Sequence, residues 1–164
     1  MRLWTPHLWI PRTFLGTEMG FGCCPEGCEV FDGTTPSSIT VVVSGETDIY
    51  CPCSEYNGTY ELDYTAGGGS SGDTCSVEYQ KTSGQQVTAQ FAVDLANSKR
   101  RITVGMYHNN NCGVYGYSMS YWLGSDSGWE SGTAPFEIGT TYNLTYINSL
   151  PGRCGETGQA AVTP

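Results

Sequence analysis

The sequence predicts an all-β fold, an antiparallel β-sandwich or jelly-roll-like barrel of about eight short strands, disulfide-stapled and preceded by an extended N-terminal arm. Three observations carry that expectation. Among 164 residues there are 22 Gly and 8 Pro, well above their usual combined share of about 12 %, so turns are frequent. From Ile39 onward apolar and polar residues alternate with a period of two, the mark of half-buried strands. Eight cysteines in a small, loop-rich chain indicate a disulfide framework and an oxidising destination.

The elements follow in order. Residues 1–22 form the arm, in which Leu3, Trp4, Leu8, Trp9, Ile10, Phe14 and Leu15 surround Pro6 and Pro11. A residue that precedes proline resists the helical region, so an extended strap is expected. Its anchors against a neighbouring surface are Trp4, Leu8, Trp9, Ile10 and Phe14. The two prolines also interrupt any signal-peptide core, and no small-x-small cleavage site follows. No stretch approaches the ~20 apolar residues of a membrane span. A chain made in a cytoplasm is the expectation, with no membrane insertion.

Residues 23–164 form one cysteine-rich β-domain. It opens with a knot-like loop, FGCCPEGCEVFDGTTPSS. Ile39–Ser44 is a β-branched strand ended by Ser44-Gly45. Thr59–Thr65 places Tyr60, Leu62 and Tyr64 on one face and Glu61 and Asp63 on the other. After a flexible Gly67–Gly72 loop, Cys75, Val77 and Tyr79 repeat that alternation. Val87–Leu95 and Arg101–Tyr107 form a hairpin about Ala96-Asn97-Ser98. Val114–Trp122 places Tyr115, Tyr117, Met119 and Tyr121 on a single side. Pro135–Ile138 and Tyr142–Ile147 flank a turn at Gly139-Thr140. Ala160–Thr163 closes an edge.

Charge excludes further classes. Sixteen Asp and Glu against seven Lys and Arg give a net charge of −9, the wrong sign for neutralising phosphate, so nucleic acid is not an expected partner. Eleven Tyr, five Phe and four Trp supply too much bulky apolar surface for a disordered chain.

The order of these features is itself informative. A Cys/Gly/Pro-rich head leads to PSSITVVVSG, a Cys pair, Tyr56-Asn57-Gly58-Thr59-Tyr60-Glu61-Leu62, a Cys-bearing strand, and a late Cys154 ahead of GQAAVTP. From Cys23 onward this resembles small cysteine-rich β-proteins that recur in planctomycete genomes and in the structural gene clusters of tailed phages. The resemblance implies a structural role in a virion or at a cell surface. It transfers no catalytic motif, and the arm lies outside it.

Candidate chemistry is sparse. Cys23, Cys24, Cys28, Cys51, Cys53, Cys75, Cys112 and Cys154 are the disulfide candidates, and eight cysteines allow 105 pairings. Cys23–Cys24 and Cys51–Cys53 are too close for easy internal pairing, so each is expected to pair elsewhere. The rival reading is a small metalloprotein, with Cys23, Cys24, Cys28, Cys51 and Cys53 as thiolate ligands. His7 sits in the arm and His108 opens a polar loop, and neither has a nucleophile elbow to serve. Glu61 and Asp63 read as a solvated face, and Asp126 and Glu130 lack the spacing of a calcium loop. No cofactor and no catalysis are expected.

Tyr115, Tyr117, Tyr121, Trp122 and Trp129 gather within fifteen residues, as a recognition surface or as core. Lys99-Arg100-Arg101 is the basic cluster of an acidic chain, either a solvated turn or a contact to an acidic patch on another copy. The expected function is a virion structural protein of a tailed phage, anchored by its arm to other virion proteins and to copies of itself. Tail tip, baseplate or fibre adaptor, and capsid decoration protein, are the positions it fits. A host-surface glycan is a further candidate partner. The alternative is a secreted or cell-surface module for glycan or protein adhesion.

Overall fold

The fold is taken from a computed structural model, which describes residues 28–47, 53–71, 73–81, 83, 86–108, 117–122, 129–146 and 158–164. Among them nine strands form: β1 Ser38–Ser44, β2 Gly58–Ser71, β3 Thr74–Gln80, β4 Gln86–Asp94, β5 Lys99–His108, β6 Tyr117–Trp122, β7 Glu130–Ser131, β8 Tyr142–Tyr146 and β9 Gln159–Thr163. A 3-10 turn at Cys53–Tyr56 precedes β2. The expected all-β, antiparallel fold is the one adopted.

Strand order identifies the architecture. β1 pairs with β2, β2 with β3, β3 with β4, β4 with β5 and β5 with β6, each antiparallel. β6 pairs with β8, β8 with β9, and β9 returns to β1. Eight strands therefore close into an up-and-down barrel, an arrangement that removes the free edges of an open sheet. The two-residue β7 pairs with Lys99 and Arg100 of β5, beyond the end of β6.

Why the wall closes this way follows from its inward residues. In β1 the β-branched Ile39, Val41 and Val43 are buried, while Ser38 and Val42 face out. Gly45, at φ +79°, ends the strand in a conformation that side-chain-bearing residues rarely adopt. Across the ladders Val41 faces Tyr60 and Val162, Phe91 faces Val77 and Ile102, and Leu144 faces Ala160. All of these are buried. An eight-stranded barrel is just wide enough for side chains to fill, and here they do.

One mouth is closed by a plug. Residues 28–37 and 134–138 meet in a parallel bridge between Phe31 and Phe136. The Asp32 amide donates to the Phe136 carbonyl (3.1 Å), and the Phe136 amide donates to the Val30 carbonyl (2.8 Å). Inside the mouth, the Phe31 ring lies 4.9 Å from Phe91, and Phe136 lies 5.2 Å from Phe91 and 5.4 Å from Tyr142. The Cys28–Cys75 disulfide fastens the start of the plug to β3. The Gly139 amide donates to the Pro164 carbonyl and so ties the 134–139 segment to the end of β9.

Tyr79 joins the plug to the wall, its hydroxyl donating to the Pro36 carbonyl at 3.0 Å. Burial, with Tyr64 adding to it, pushes this phenol well above the usual tyrosine value. A folded-state pKa above the unfolded one favours the native state fully below about pH 10, and that contribution fades as pH rises further. The melting temperature is therefore expected to fall steeply above about pH 10, and Tyr79→Phe should flatten that fall. An equal slope in the variant would exclude Tyr79 as its source.

Several expectations change. The Gly67–Gly72 stretch is not a loop up to Ser71: β2 runs through it, with Gly67 opposite Val77 and Gly68 opposite Ser76. Register shifts beside Ala66 and Ser71 absorb the irregularity. Pro135–Ile138 is not a hairpin strand. It contributes a single bridge because Phe136 turns into the barrel mouth. Ala160–Thr163 is no edge, since β9 is hydrogen-bonded on both sides, to β1 and to β8. Residues 114–116 lie outside the described residues, and β6 starts at Tyr117. The β4–β5 hairpin about Ala96-Asn97-Ser98 forms as expected.

Candidate functional site

The plugged mouth is where the N-terminal segment joins the barrel. Cys28 opens the described part of the chain, and its disulfide to the fully buried Cys75 spans a sequence separation of 47 residues. Cys28 is thus held to the barrel wall by a covalent bond, beside the buried Val30 and Phe31. Cys28, as half of a disulfide, offers no thiolate to a metal in this structure. Cys23, Cys24, Cys51, Cys112 and Cys154 lie outside the described residues, and Cys53 is placed by its backbone in the 3-10 turn.

The arm anchors Trp4, Leu8, Trp9, Ile10 and Phe14 also lie outside the described residues, as do His7, Tyr115 and Asp126. Tyr117, Tyr121 and Trp122 are placed by their backbone on β6, opposite His108, Val104 and Thr103 of β5. Glu61 and Asp63 face out as expected, and Glu61 accepts a 3.0 Å hydrogen bond from the Thr40 hydroxyl. Beside the plug, Thr34, Thr35, Pro36, Ser37 and Tyr64 line a shallow groove of about 430 Å³.

Two of the three cations of the basic cluster, Arg100 and Arg101, make contacts within the molecule, while Lys99 is exposed. Successive strand residues point to opposite faces, so Arg100 and Arg101 part company. Arg100 turns toward the plug, its guanidinium 4.8 Å from the Phe136 ring centre. It pairs with Glu130 and donates to the carbonyls of Ala134 (3.0 Å) and Pro135 (3.4 Å). A planar, five-donor fork suits that combination of carboxylate, carbonyls and aromatic face. Glu130, weighed as a calcium ligand, is spent on this contact.

Arg101 turns outward and stacks on Trp129, 4.5 Å from the ring centre. Its Nη2 donates to Gln90 Oε1 (3.2 Å), and Gln90 Nε2 donates to Glu78 Oε1 (2.9 Å). Burial lowers the Arg101 pKa, and its Nε is buried with no hydrogen-bond partner among the described residues. Trp129 thus belongs to this contact chain on the outer wall, and not to the stripe on β6. The chain Trp129–Arg101–Gln90–Glu78 was missed in sequence. The one available signal was the inward alternation of Ile102, Val104 and Met106, which places Arg101 and Thr103 outside.

Among the described residues no group of three or more His, Cys, Asp or Glu is gathered as a metal site. Comparison of the chain with protein-family models, with curated proteins and with solved structures finds no match. The described geometry is that of a filled, plugged and cross-linked scaffold. Its interior is occupied by its own side chains, so the described surface open to a ligand is the outer wall.

Proposed function

We propose that the chain is a structural protein of a tailed-phage virion, held by residues 1–22 to a neighbouring subunit. The observation that carries this reading is the Cys28–Cys75 disulfide at the point where the N-terminal segment meets the barrel. A tether pulled by an assembly needs a strong junction, and a bond into the central wall of a closed barrel supplies one. The sequence supplies the other half: Trp4, Trp9 and Phe14 are large aromatic anchors of the type that dominates binding energy at interfaces. Disulfides would then form once the particle leaves the cytoplasm.

The test uses the full chain carrying Trp4→Ala, Trp9→Ala and Phe14→Ala together. Incorporation into particles is expected to be lost, with the melting temperature of the isolated protein unchanged. Normal loading of the triple variant would overturn the anchoring role. Particles that never contain the wild-type chain would overturn the virion assignment itself.

A further inference from the structure

The outer wall of the barrel carries a groove that neither closes the ring nor holds the plug. It has a volume of about 290 Å³, at the small end of ligand pockets, and spans β2 to β5, lined by Thr65, Glu78, Thr88, Gln90, Thr103 and Gly105 among others. We propose that this groove binds a neutral saccharide. The proposal goes beyond the anchoring role and does not depend on it.

The argument starts from Gln90. Its amide is fixed at both ends: the oxygen accepts from Arg101 and the nitrogen donates to Glu78. Arg101 is itself held over the Trp129 ring, 4.5 Å from its centre, so it acts as a positioning residue for the amide. An amide nitrogen has two donors and a carboxylate about four acceptor sites. Each group spends one on the other, which leaves a fixed donor beside fixed acceptors on a rigid sheet face. Vicinal hydroxyls of a sugar, each able to donate and accept, match that pairing.

The surroundings agree. Thr65 and Thr88 donate their hydroxyl protons to the Glu78 and Gly105 carbonyls (3.1 and 3.4 Å), so at the rim their oxygens serve as acceptors beside Thr103. Gly105 keeps the floor low, since a Cβ there would lie 3.0 Å from Thr88 Oγ1. Two competing ligand classes fit less well. A peptide adds to a sheet through a free strand edge, whereas β3 and β4 are paired on both sides here. An anion such as phosphate would meet the exposed Glu78 carboxylate, and Arg101, the described cation beside Gln90, is already engaged by Trp129 and Gln90.

The experiment is calorimetric titration of the full-length oxidised protein with chitotetraose, mannotetraose, maltotetraose and cellotetraose. Saturable binding of at least one, at a Kd of about 1 mM or tighter, is expected. Gln90→Ala and Glu78→Ala should each weaken it about tenfold or more, and Glu78→Ala, at an exposed side chain, should do so without changing the melting temperature. Thr163→Val, on the wall formed by β9, should leave it unchanged. Absence of binding by all four sugars at about 10 mM, or binding that survives both groove substitutions, overturns the proposal.

Discussion

Replacing Phe91 by alanine is expected to destabilise the protein by about 3–5 kcal/mol, the usual range for removing a fully buried phenylalanine. Phe91 has no solvent exposure and stands where wall and plug meet. Its ring lies 4.9 Å from Phe31, 5.2 Å from Phe136 and 6.0 Å from Tyr79. On the wall it faces Val77 and Ile102 across two ladders. Those neighbours are held by strand pairing on one side and by the plug's own hydrogen bonds on the other, so the space left cannot readily collapse. Small domains have only about 5–15 kcal/mol of stability in all, so the loss is severe. Denaturant unfolding with an unchanged m-value measures it. A loss under about 1 kcal/mol would mean that the plug does not pack on Phe91.

The second large effect is expected from the paired substitution Cys28→Ala with Cys75→Ala. The bond closes a loop with a sequence separation of 47 residues, for which the chain-entropy model gives about 4 kcal/mol. Most of that arises in the unfolded chain, which the bond restrains, so the folded barrel should keep its near-ultraviolet dichroism. Substitution is a cleaner test than a reducing agent because the chain holds further cysteines. Equal denaturation midpoints for the oxidised wild type and the double variant would show that the bond contributes nothing to stability. The two effects should not be summed, since Cys28 and Phe31 belong to the same plug and neighbouring sites couple.

The strands were legible where side chains alternate in kind. Ile39 to Ser44, Tyr60 to Tyr64 and Val87 to Val93 each show one apolar face in the sequence, and each buries it. Gly67 and Gly68 defeat that reasoning, because residues without side chains carry no pattern even when their backbones are paired. Ala160 and Val162 defeat it differently. Their alternation is visible, but the partner on one side, β1, lies more than a hundred residues away, and local pattern holds no information on so distant a neighbour. Phe136 shows a third limit: an apolar residue between turn signals reads as strand, and only the rest of the fold reveals that it stoppers the barrel mouth.

The candidate surfaces followed the same rule. The single described disulfide narrows the 105 connectivities the sequence permits, and it became visible only once Cys28 and Cys75 were brought to the same mouth. The adjacent cations of Lys99-Arg100-Arg101 looked like one feature in the sequence. The pleat divides them, Arg100 to the plug and Arg101 to Trp129, and so makes two separate devices from one cluster.

The β1–β9 seam has a consequence for biosynthesis. All other joins in the ring link strands that follow one another along the chain or are separated only by the two-residue β7, so they can form as the ribosome advances. The seam cannot. One side of β1 stays without its partner while everything from Gly45 to Gln159 is made, on the order of ten seconds at roughly 5–20 residues per second. During that interval Val41, Val42 and Val43 present a β-branched, uncharged edge of the kind that recruits other nascent chains. Cells that make the protein at high level should therefore lose part of it to aggregation before the last strand arrives, and slower expression at low temperature should recover it.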